Sequence, residues 1–416
     1  MTPVRPTVQV VGERLEPSHH GLRDLLVRTA QPYEWIDAGS EAAAELFARH
    51  GLSDPELPVL VDGDEVHTGV TIERLAEAWS MREEPRLDHY DFAVVGAGPA
   101  GLAAAVYAAS DGLSTVVVEA DVPGGQASHT SMIENFFGFP EGIGGAELAR
   151  LAGRQAERFG AELVLLRSVV GGDHRPEGTR FRLEGDLAFT AKVALAAPGM
   201  VWRRLEVDGV EELLGRGVYY GAGRSEAVQC ANDDVVVVGA GNSAGQAVMN
   251  LAGAGARVRM VVRGDSLSKS MSAYLVDRVV AHPMIDVRCR TQVTELHEEG
   301  GHLGAVTVTG PDGPERLPAV ALFLCIGGQP RTGWAENAGV RTDRAGYILT
   351  GPDLLERGRR PEGWPLDRDP LALETSVPGL FAAGDVRHGS TKRVAGAVGE
   401  GAMAVALAHR RLEELL

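Results

Sequence analysis

Two glycine-rich segments have the spacing with which a backbone binds the pyrophosphate of a dinucleotide. Residues 96–101 read G-A-G-P-A-G after an apolar run at 92–95, and residues 239–244 read G-A-G-N-S-A after a predicted strand at 234–238. The first glycine permits a tight turn, the second lets backbone approach the phosphates, and the third small residue lets the next helix pack on the strand. The anion lies at the N-terminus of that helix. The sequence therefore predicts two dinucleotide sites.

The residue after the second strand of each module differs in charge. The strand predicted at 115–118 ends at Glu119, whose carboxylate can accept hydrogen bonds from both ribose hydroxyls. The strand predicted at 257–262 ends at Arg263, whose guanidinium can bind a 2′-phosphate through two hydrogen bonds. NADPH is therefore favoured over NADH at the second site. An arginine that only ends a strand remains the alternative.

Two such modules in one chain suggest a bound flavin and a transiently bound nicotinamide, because hydride transfer requires both rings. Near the C-terminus, residues 380–385 predict a short buried strand ending at Gly384 and Asp385, and this carboxylate can bind a ribityl hydroxyl. The apolar helix predicted after it, through residue 407, contains Gly399 and Gly401, which allow close packing. Because this tail has no glycine loop of its own, it must complete one of the first two domains.

The N-terminal segment 1–80 predicts a separate set of elements in the order β-α-β-α-β-β-α. The strands are predicted at residues 7–12, 33–36, 57–61 and 65–68, and the helices after the caps Ser18 and Ser40 and at 72–79. With Pro58 opening the third strand, this order resembles the glutaredoxin and thioredoxin fold. The resemblance implies a thioredoxin-like domain at residues 1–82, followed by a charged linker at 83–90.

That fold family carries a Cys-x-x-Cys at the start of its first helix, where the helix N-terminus favours the thiolate. Here residues 18–21 read S-H-H-G, and the first cysteine of the chain is Cys230. A scaffold or docking domain without dithiol chemistry is therefore expected. His19 and His20 are predicted to be exposed residues of the first turn, because no further cluster is arranged to complete a metal site.

From residue 91 to 412 the chain resembles the low-molecular-weight thioredoxin reductases of the pyridine nucleotide-disulfide oxidoreductase family. The resemblance rests on several motifs in the right order: the loops at 96–101 and 239–244, Gly-Gly-Gln at 124–126, Glu-Asn at 134–135, Gly-Phe-Pro at 138–140, Ile-Gly-Gly-Gln-Pro at 326–330, and Pro-Gly-Leu-Phe-Ala-Ala-Gly-Asp at 378–385. It implies an α/β fold with two Rossmann-like FAD/NAD(P)-binding domains of thioredoxin reductase type. It also implies a discontinuous FAD domain at 87–200 and 320–416, an inserted NADPH domain at 203–318, and a homodimer.

The resemblance also implies the residues that contact each cofactor. The FAD contacts are Gly96, Gly98, Pro99, Gly101, Glu119, Gly125, Gln126, Asn135, Asp385, Lys392, Arg393 and Val394. The NADPH contacts are Gly239, Gly241, Asn242, Ser243, Ala244 and Arg263.

The sequence departs from the reductase pattern at two places. Thioredoxin reductases carry a Cys-x-x-Cys that takes electrons from the reduced flavin, and the aligned stretch 221–224 reads G-A-G-R. Cys230 has no partner at disulfide spacing and is predicted to be a buried structural thiol, Cys325 belongs to an apolar run, and Cys289 flanks a strand. Residues 197–199 read A-P-G where the family usually has Ala-Thr-Gly. Because the Cys-x-x-Cys is absent, direct reduction of thioredoxin is not expected.

Composition narrows the possible partners and the compartment. A formal charge of −17 argues against non-specific nucleic-acid binding, which needs a positive field. No apolar stretch approaches the length of a membrane span, and the first residues lack the pattern of a signal peptide. A cytoplasmic protein is therefore expected.

Three functions remain open. The first is an NADPH-dependent FAD oxidoreductase that passes electrons to a quinone, a small organic substrate, O₂, or a carrier protein such as ferredoxin or flavodoxin. The second is a flavin-dependent oxidase or tailoring enzyme that oxidises a small molecule with O₂. The third is a non-enzymatic flavin-binding redox sensor or docking protein. Candidate acid, base or binding groups near the flavin are His129, Tyr219, Tyr220, His388 and Glu400.

Overall fold

The computed structural model describes residues 7–79, 81–221 and 224–416, except for the side chains of residues 224 and 225. The chain divides into two compact units. The first contains the described residues up to 79 together with His129–Met132 and Trp202–Gly327. The second contains Met81–Ser128, Ile133–Val201 and Gly328–Leu416.

The N-terminal segment, which spans 7–79 in the structure, builds a small sheet flanked by helices. The strands are β1 (Val8–Gly12), β2 (Tyr33–Asp37), β3 (Val59–Asp62) and β4 (Glu65–His67), and the helices are α1 (Pro17–Arg28), α2 (Glu41–Arg49) and α3 (Ile72–Ala78). In the sheet the order is β2-β1-β3-β4, with β1 parallel to β2 and antiparallel to β3. The element order predicted from the sequence is therefore present. The peptide bond before Pro58 is cis.

The helix caps of this segment were predicted with mixed success. Ser40 caps α2, because its hydroxyl accepts a hydrogen bond from the amide of Ala43 at 3.2 Å. The prediction that Ser18 caps α1 is wrong, since Glu16 occupies the N-cap and Pro17 opens the helix. Proline is favoured at the first position of a helix, because the N–H that it lacks would have no intrahelical partner there and its φ is already helical. The helix therefore begins at Pro17.

The second unit is built on a seven-stranded sheet. From residue 89 to 202 the elements are β5 (His89–Val95), α4 (Pro99–Ser110), β6 (Thr115–Val118), α5 (Gly145–Phe159), β7 (Glu162–Val164), β8 (Val169–Arg175), β9 (Gly178–Leu183), β10 (Ala188–Ala196) and β11 (Met200–Trp202). The order along the sheet is β7-β6-β5-β10-β9-β8. Because β7, β6, β5 and β10 are parallel, their carboxyl ends share one edge.

The predicted linker at 83–90 overlaps this sheet. Its last two residues belong to β5, and Tyr90 is buried at 3% exposure with its hydroxyl donating to Glu162 at 2.8 Å. The alternation of apolar residues in β5 begins earlier than the run at 92–95 indicates, because an aromatic side chain fills the core position there.

The remaining part of the first unit has a second parallel sheet. Its elements are β12 (Val218–Tyr220), α6 (Arg224–Gln229), β13 (Asp234–Val238), α7 (Asn242–Gly253), β14 (Arg257–Val262), α8 (Ala273–Ala281), β15 (Ile285–Cys289), β16 (Gln292–Glu299), β17 (His302–Gly310), β18 (Gly313–Pro318) and β19 (Ala321–Leu324). The parallel sheet has the order β12-β19-β13-β14-β15, and β16, β17 and β18 form an antiparallel sheet. Apolar residues cover both faces of the parallel sheet, as a buried parallel sheet requires.

The C-terminal segment completes the second unit. It contains β20 (Gly328–Pro330), β21 (Leu380–Ala382) and α9 (Val394–Glu413). Strand β21 pairs in parallel with β10, and α9 packs against α4. This contact requires glycine at 401, because a Cβ there would lie 2.1 Å from the carbonyl oxygen of Ala100. Within the described residues, no helix has the length and apolar character needed to cross a bilayer.

Candidate functional site

The first glycine loop joins β5 to α4 at the carboxyl edge of the second unit's sheet. Gly96 has φ +103°, and a Cβ on it would lie 2.3 Å from the carbonyl oxygen of Ala197. A Cβ on Gly101 would lie 1.9 Å from the carbonyl oxygen of Gly96. A Cβ on Gly98 would meet no protein atom within 4 Å. The first and third glycines are thus needed by the fold, and the second borders open space.

Glu119 lies directly beside this loop. Its Oε2 accepts a hydrogen bond from the amide of Ala97 at 2.6 Å, and its Oε1 accepts one from the amide of Asp121 at 3.1 Å. Burial raises the pKa of the carboxyl above its usual range. The end of β6 therefore holds an oriented carboxylate next to the glycine loop, as the sequence predicts for a ribose ligand.

The segment around Gly125 approaches the same loop. A Cβ on Gly125 would lie 3.4 Å from the Cα of Gly98, and the amide of Gly124 donates to the carbonyl oxygen of Ala97 at 2.7 Å. The side-chain amide of Gln126 donates to the carbonyl oxygen of Met200 at 3.1 Å. Residues far apart in the sequence therefore line one edge of this sheet.

Asp385 reaches that edge because β21 lies beside β10. The amide of Ala383 donates to the carbonyl oxygen of Ala196 at 3.2 Å, and a Cβ on Gly384 would lie 3.1 Å from the Cβ of Ala100. Asp385 is partly buried, and this burial raises the pKa of its carboxyl. The C-terminal tail thus brings its aspartate to the first glycine loop and α4.

The other predicted FAD contacts are less tightly grouped. Lys392 has φ +54°, and its ammonium donates to the carbonyl oxygen of Asp385. The same ammonium lies over the ring of Tyr347, 4.1 Å from the ring centre. Arg393 is the N-cap of α9 and Val394 is its first residue. Asn135 lies in an exposed loop of the same unit.

The second glycine loop repeats this geometry in the first unit. Gly239 has φ +149°, and a Cβ on it would lie 2.4 Å from the carbonyl oxygen of Cys325. A Cβ on Gly241 would meet no protein atom within 4 Å. Ala244 is buried in the core beneath the loop, and the exposed Ser243 is in the first turn of α7.

Asn242 holds the loop against the segment before α8. Its Oδ1 accepts from the amide of Ser272 at 2.8 Å, and its Nδ2 donates to the hydroxyl of Ser272 at 3.1 Å. The second predicted nucleotide site therefore has a crowded first glycine, an open middle glycine and an anchored first helical turn.

Two exposed arginines end the strands next to this loop. Arg263 follows β14 as predicted, and Arg290 follows β15, which pairs in parallel with β14. The amide of Arg290 donates to the carbonyl oxygen of Gly264 at 2.8 Å. Sequence reasoning missed Arg290. Its available signal was an arginine directly after a short strand that alternates apolar and charged residues, but the adjacency of β14 and β15 was needed to give it meaning.

The five candidate catalytic residues are not brought together in either unit. The first unit contains His129, Tyr219 and Tyr220, and the second contains His388 and Glu400. Glu400 is held as a structural group, since it accepts from the amide of Gly384 at 2.7 Å and pairs with Arg387 at 2.6 Å.

The three candidates of the first unit have neighbours of different kinds. The ring of His129 meets the ring of Trp202 edge-on at 6.1 Å between ring centres, and its Nδ1 lies 3.6 Å from a carboxylate oxygen of Asp24. Tyr219 is buried, which raises its pKa to about 12, and the hydroxyl of Tyr220 accepts from the amide of Leu205 at 3.4 Å. None of these contacts alone identifies an acid or a base.

His388 belongs to a histidine–carboxylate pair that the sequence did not reveal. Its Nδ1 lies 2.7 Å from an Oδ atom of Asp343, and the other oxygen of Asp343 accepts from the amides of Ala345 and Tyr347. The two residues are 45 positions apart, so only the fold brings them together.

The prediction that His19 and His20 are exposed is wrong. His19 is 5% exposed, and its Nδ1 accepts from the amide of Glu13 at 2.9 Å. His20 is partly buried and its ring contacts Tyr219, because the start of α1 packs against other residues of the first unit. Among the described residues, no cluster of His, Cys, Asp and Glu could hold a metal ion.

The cysteines have the burial that the sequence predicts. Cys230 is 3% exposed and Cys325 is 7% exposed, and burial raises their pKa values to about 11 and about 12. Cys289 is partly buried. In the stretch 221–224, which aligns with the Cys-x-x-Cys of thioredoxin reductases, residues 222 and 223 lie outside the described residues.

Comparisons with known proteins agree with this geometry. The family described as pyridine nucleotide-disulphide oxidoreductase matches residues 90–401. The thioredoxin reductase of Bacillus subtilis (strain 168) is 34% identical over 334 residues, which cover 78% of this chain and 96% of the relative.

Solved structures show the same similarity. A thioredoxin reductase of Lactococcus lactis, in the FR conformation, has a TM-score of 0.69 at 28% identity and covers 78% of this chain and 99% of its own. The thioredoxin reductase of T. acidophilum has a TM-score of 0.69 at 26% identity, over 79% of this chain and 100% of its own. The chain belongs to the pyridine nucleotide-disulphide oxidoreductase family and is a thioredoxin reductase-like flavin oxidoreductase.

Proposed function

We propose that the chain is an NADPH-dependent FAD oxidoreductase that delivers electrons to an acceptor other than a protein disulfide. The observation that carries the proposal is the pair of glycine loops, each with a crowded first glycine and a middle glycine that borders open space. A side chain at either middle position would fill the space through which a pyrophosphate reaches the backbone amides.

The residues of the first loop fit FAD. Gly98 leaves room for the pyrophosphate, Glu119 offers a fixed carboxylate for the ribose, and Asp385 reaches the same edge from β21. Bound FAD supplies a ring that accepts a hydride and can release electrons singly or in pairs. The protein's part is to hold the cofactor at the carboxyl edge of the sheet.

The residues of the second loop fit NADPH. Gly241 leaves room for the pyrophosphate, and Arg263 and Arg290 supply two positive charges at the ends of neighbouring strands. A carboxylate at either place would repel a 2′-phosphate, whereas guanidinium groups bind it. We therefore infer that NADPH is preferred over NADH.

The cysteine inventory supports an acceptor without a disulfide relay. The only cysteines are Cys230, Cys289 and Cys325, so no pair has Cys-x-x-Cys spacing. A raised pKa keeps Cys230 and Cys325 as thiols at neutral pH, and a thiol is a poor nucleophile. The acceptor classes that remain are a quinone, a small organic substrate, O₂, and ferredoxin or flavodoxin.

The domain assignments belong to the same proposal. We assign a thioredoxin-like domain without thiols to residues 1–82, a discontinuous FAD domain to 87–200 and 320–416, and an NADPH domain to 203–318. The order β2-β1-β3-β4 of the first sheet supports the first assignment. We further propose a cytoplasmic homodimer, as the resemblance to thioredoxin reductases implies.

Anaerobic stopped-flow spectroscopy tests the function. We expect NADPH to bleach the visible absorbance of the oxidised flavin faster than NADH does, and at least one acceptor from a panel of quinones, ferredoxins, flavodoxins and dyes to restore it. Protein that cannot be loaded with FAD would overturn the proposal. Failure of NADPH to reduce the flavin would instead favour the oxidase, and rapid reduction without any turnover would favour the redox sensor.

A further inference from the structure

One end of the N-terminal segment is packed against β12 and α6 of the same unit. The contact is made by the loop after β1 and the first turns of α1. It brings charged and aromatic side chains together from distant parts of the chain, since Arg14 and its partner Asp233 are 219 positions apart.

One ion pair and one histidine–carboxylate contact lie across this interface. A guanidinium nitrogen of Arg14 lies 3.1 Å from a carboxylate oxygen of Asp233, and Nδ1 of His20 lies 3.2 Å from a carboxylate oxygen of Glu226. The ring of His20 also lies 4.8 Å from the ring of Tyr219. The contact therefore combines charge pairing with aromatic packing.

The two pairs differ in burial, since the Arg14 and Asp233 side chains are 36% and 34% exposed whereas the groups around His20 are buried. Glu226 is 5% exposed and Tyr219 is 8% exposed. Removing one member of a buried pair leaves a charge without compensation and is strongly destabilising.

Arg23 clamps the loop that carries Arg14. It is 1% exposed, it donates to the carbonyl oxygen of Arg14 at 2.7 Å, and its guanidinium stacks 4.3 Å from the ring centre of Trp35. Burial lowers the pKa of this guanidinium. The side chain that pairs with Asp233 thus extends from a loop that is itself fixed.

Backbone also takes part in the contact. Gly215 has φ +76°, and a Cβ on it would lie only 3.0 Å from the Cα of Pro17. Pro17 opens α1, so the helix begins directly on the segment that precedes β12. The start of α1 is therefore packed directly against the backbone before β12.

We propose that residues 7–79 are a fixed cover over β12 and α6, held by the Arg14–Asp233 and His20–Glu226 pairs. The N-terminal segment is then a permanent part of the nucleotide-binding unit rather than a separate domain that shuttles electrons. The inference stands on these contacts and does not depend on the identity of the acceptor.

Cys230 lies at the contact, so the accessibility of its thiol reports whether the contact opens. Its sulfur lies 4.0 Å from a guanidinium nitrogen of Arg14, and the residue is 3% exposed. The parent protein for the test is Cys289→Ser, which removes the partly exposed thiol. Cys325, in the core beneath the second glycine loop, reports global unfolding in the same sample.

The experiment measures alkylation of each thiol by N-ethylmaleimide with peptide mapping by mass spectrometry. We expect Cys230 to be labelled at least about tenfold faster in Arg14→Ala/Glu226→Gln than in the parent. The double variant lacks both pairs that oppose local opening of the contact. Cys325 stays protected. The positive charge of Arg14 favours the thiolate form of Cys230. Removing Arg14 would by itself slow alkylation of the thiol, so a faster rate in the variant reports that the reagent reaches Cys230 more easily.

Arg49→Ala is the matched control, since it removes an arginine from the exposed end of α2 and should leave both rates unchanged. Should the double variant not fold, Asp233→Asn removes one charge at nearly constant size and is expected to give a smaller increase. The proposal is overturned when Cys230 of the parent reacts as fast as in urea, or when neither variant changes its rate. These readouts are independent of redox activity.

Discussion

Arg263 and Arg290 occupy equivalent positions at the ends of two neighbouring strands. Val262 of β14 pairs in parallel with Cys289 of β15, and each arginine is the residue that follows. Both arginines therefore follow strands at the carboxyl edge of the sheet from which the second glycine loop extends. The sequence identified one of them from the end of a strand, and the sheet supplied the other.

Alanine at either arginine should weaken NADPH binding. Each charge-assisted hydrogen bond to phosphate contributes about 1.5–3 kcal/mol, so Arg263→Ala and Arg290→Ala should each raise the Kd for NADP⁺ about tenfold or more. NADH binding should change little. Calorimetric titration measures both. Arg288→Ala is the control, since Arg288 pairs with Asp286 at 2.6 Å. An unchanged Kd in Arg290→Ala would exclude that residue from the site.

The glycine loops predict a separation between folding and binding. Gly98→Val and Gly241→Val should fold, because a Cβ at either position meets no protein atom within 4 Å. Gly98→Val should be purified without flavin, and Gly241→Val should carry flavin that NADPH no longer reduces. Absorbance spectra and circular dichroism test these outcomes.

Gly101→Ala is the contrasting variant for the first loop. Its Cβ would lie 1.9 Å from the carbonyl oxygen of Gly96, so backbone must shift and the melting temperature should fall. Equal stability of Gly101→Ala and Gly98→Val would contradict the assignment of one glycine to the fold and the other to the ligand.

Asp234 should contribute a pH-dependent part of the stability. Hydrogen bonds from Arg257 at 2.7 Å and Arg259 at 2.6 Å hold the pKa of this carboxyl below its usual value. A carboxylate with a lowered native pKa stabilises the fold above its unfolded pKa of about 3.9 and loses that contribution as pH falls toward the native value.

Asp234→Asn should therefore lower the free energy of unfolding by about 1 kcal/mol at neutral pH. The difference from the unmodified protein should shrink below about pH 4. Urea unfolding at several pH values measures it. A difference that is constant from neutral to acidic pH would show that the aspartate acts through packing instead of charge.

Glu374 should be a strong determinant of stability in the second unit. Its side chain is 0% exposed, pairs with Arg368 at 2.6 Å, and accepts from the amides of Leu371 and Gly379 at 2.9 Å each. Glu374→Ala removes the buried partner of a guanidinium and the acceptor of two buried amides, and should cost about 3–5 kcal/mol.

Glu356→Ala is the matched control, because Glu356 pairs with Arg341 at 2.8 Å while 61% of its side chain is exposed. It should change the free energy of unfolding by less than about 0.5 kcal/mol. Denaturant titration of both variants gives the comparison. Similar losses would mean that the buried position of Glu374 has no special weight.

Local features were predictable from the sequence where one short segment contains the whole signal. The strands β6, β13 and β14 have the predicted ends, because an apolar run is followed directly by a glycine loop or a charged residue. The start of α1 was misplaced by two residues, since the N-cap is Glu16 and not Ser18, and proline competes with serine for the same helix terminus.

The sequence by itself determined the two nucleotide loops, the charge that follows each second strand, and the absence of a cysteine pair. These are properties of neighbouring residues, whose spacing in a strand, turn or helix sets their geometry. Tertiary structure alone decided that Asp385 reaches the first loop, that Arg290 joins Arg263, and that His20 meets Glu226. Such contacts depend on strand order and helix packing, which bring distant segments together through burial of apolar surface and leave no mark in the local spacing of residues.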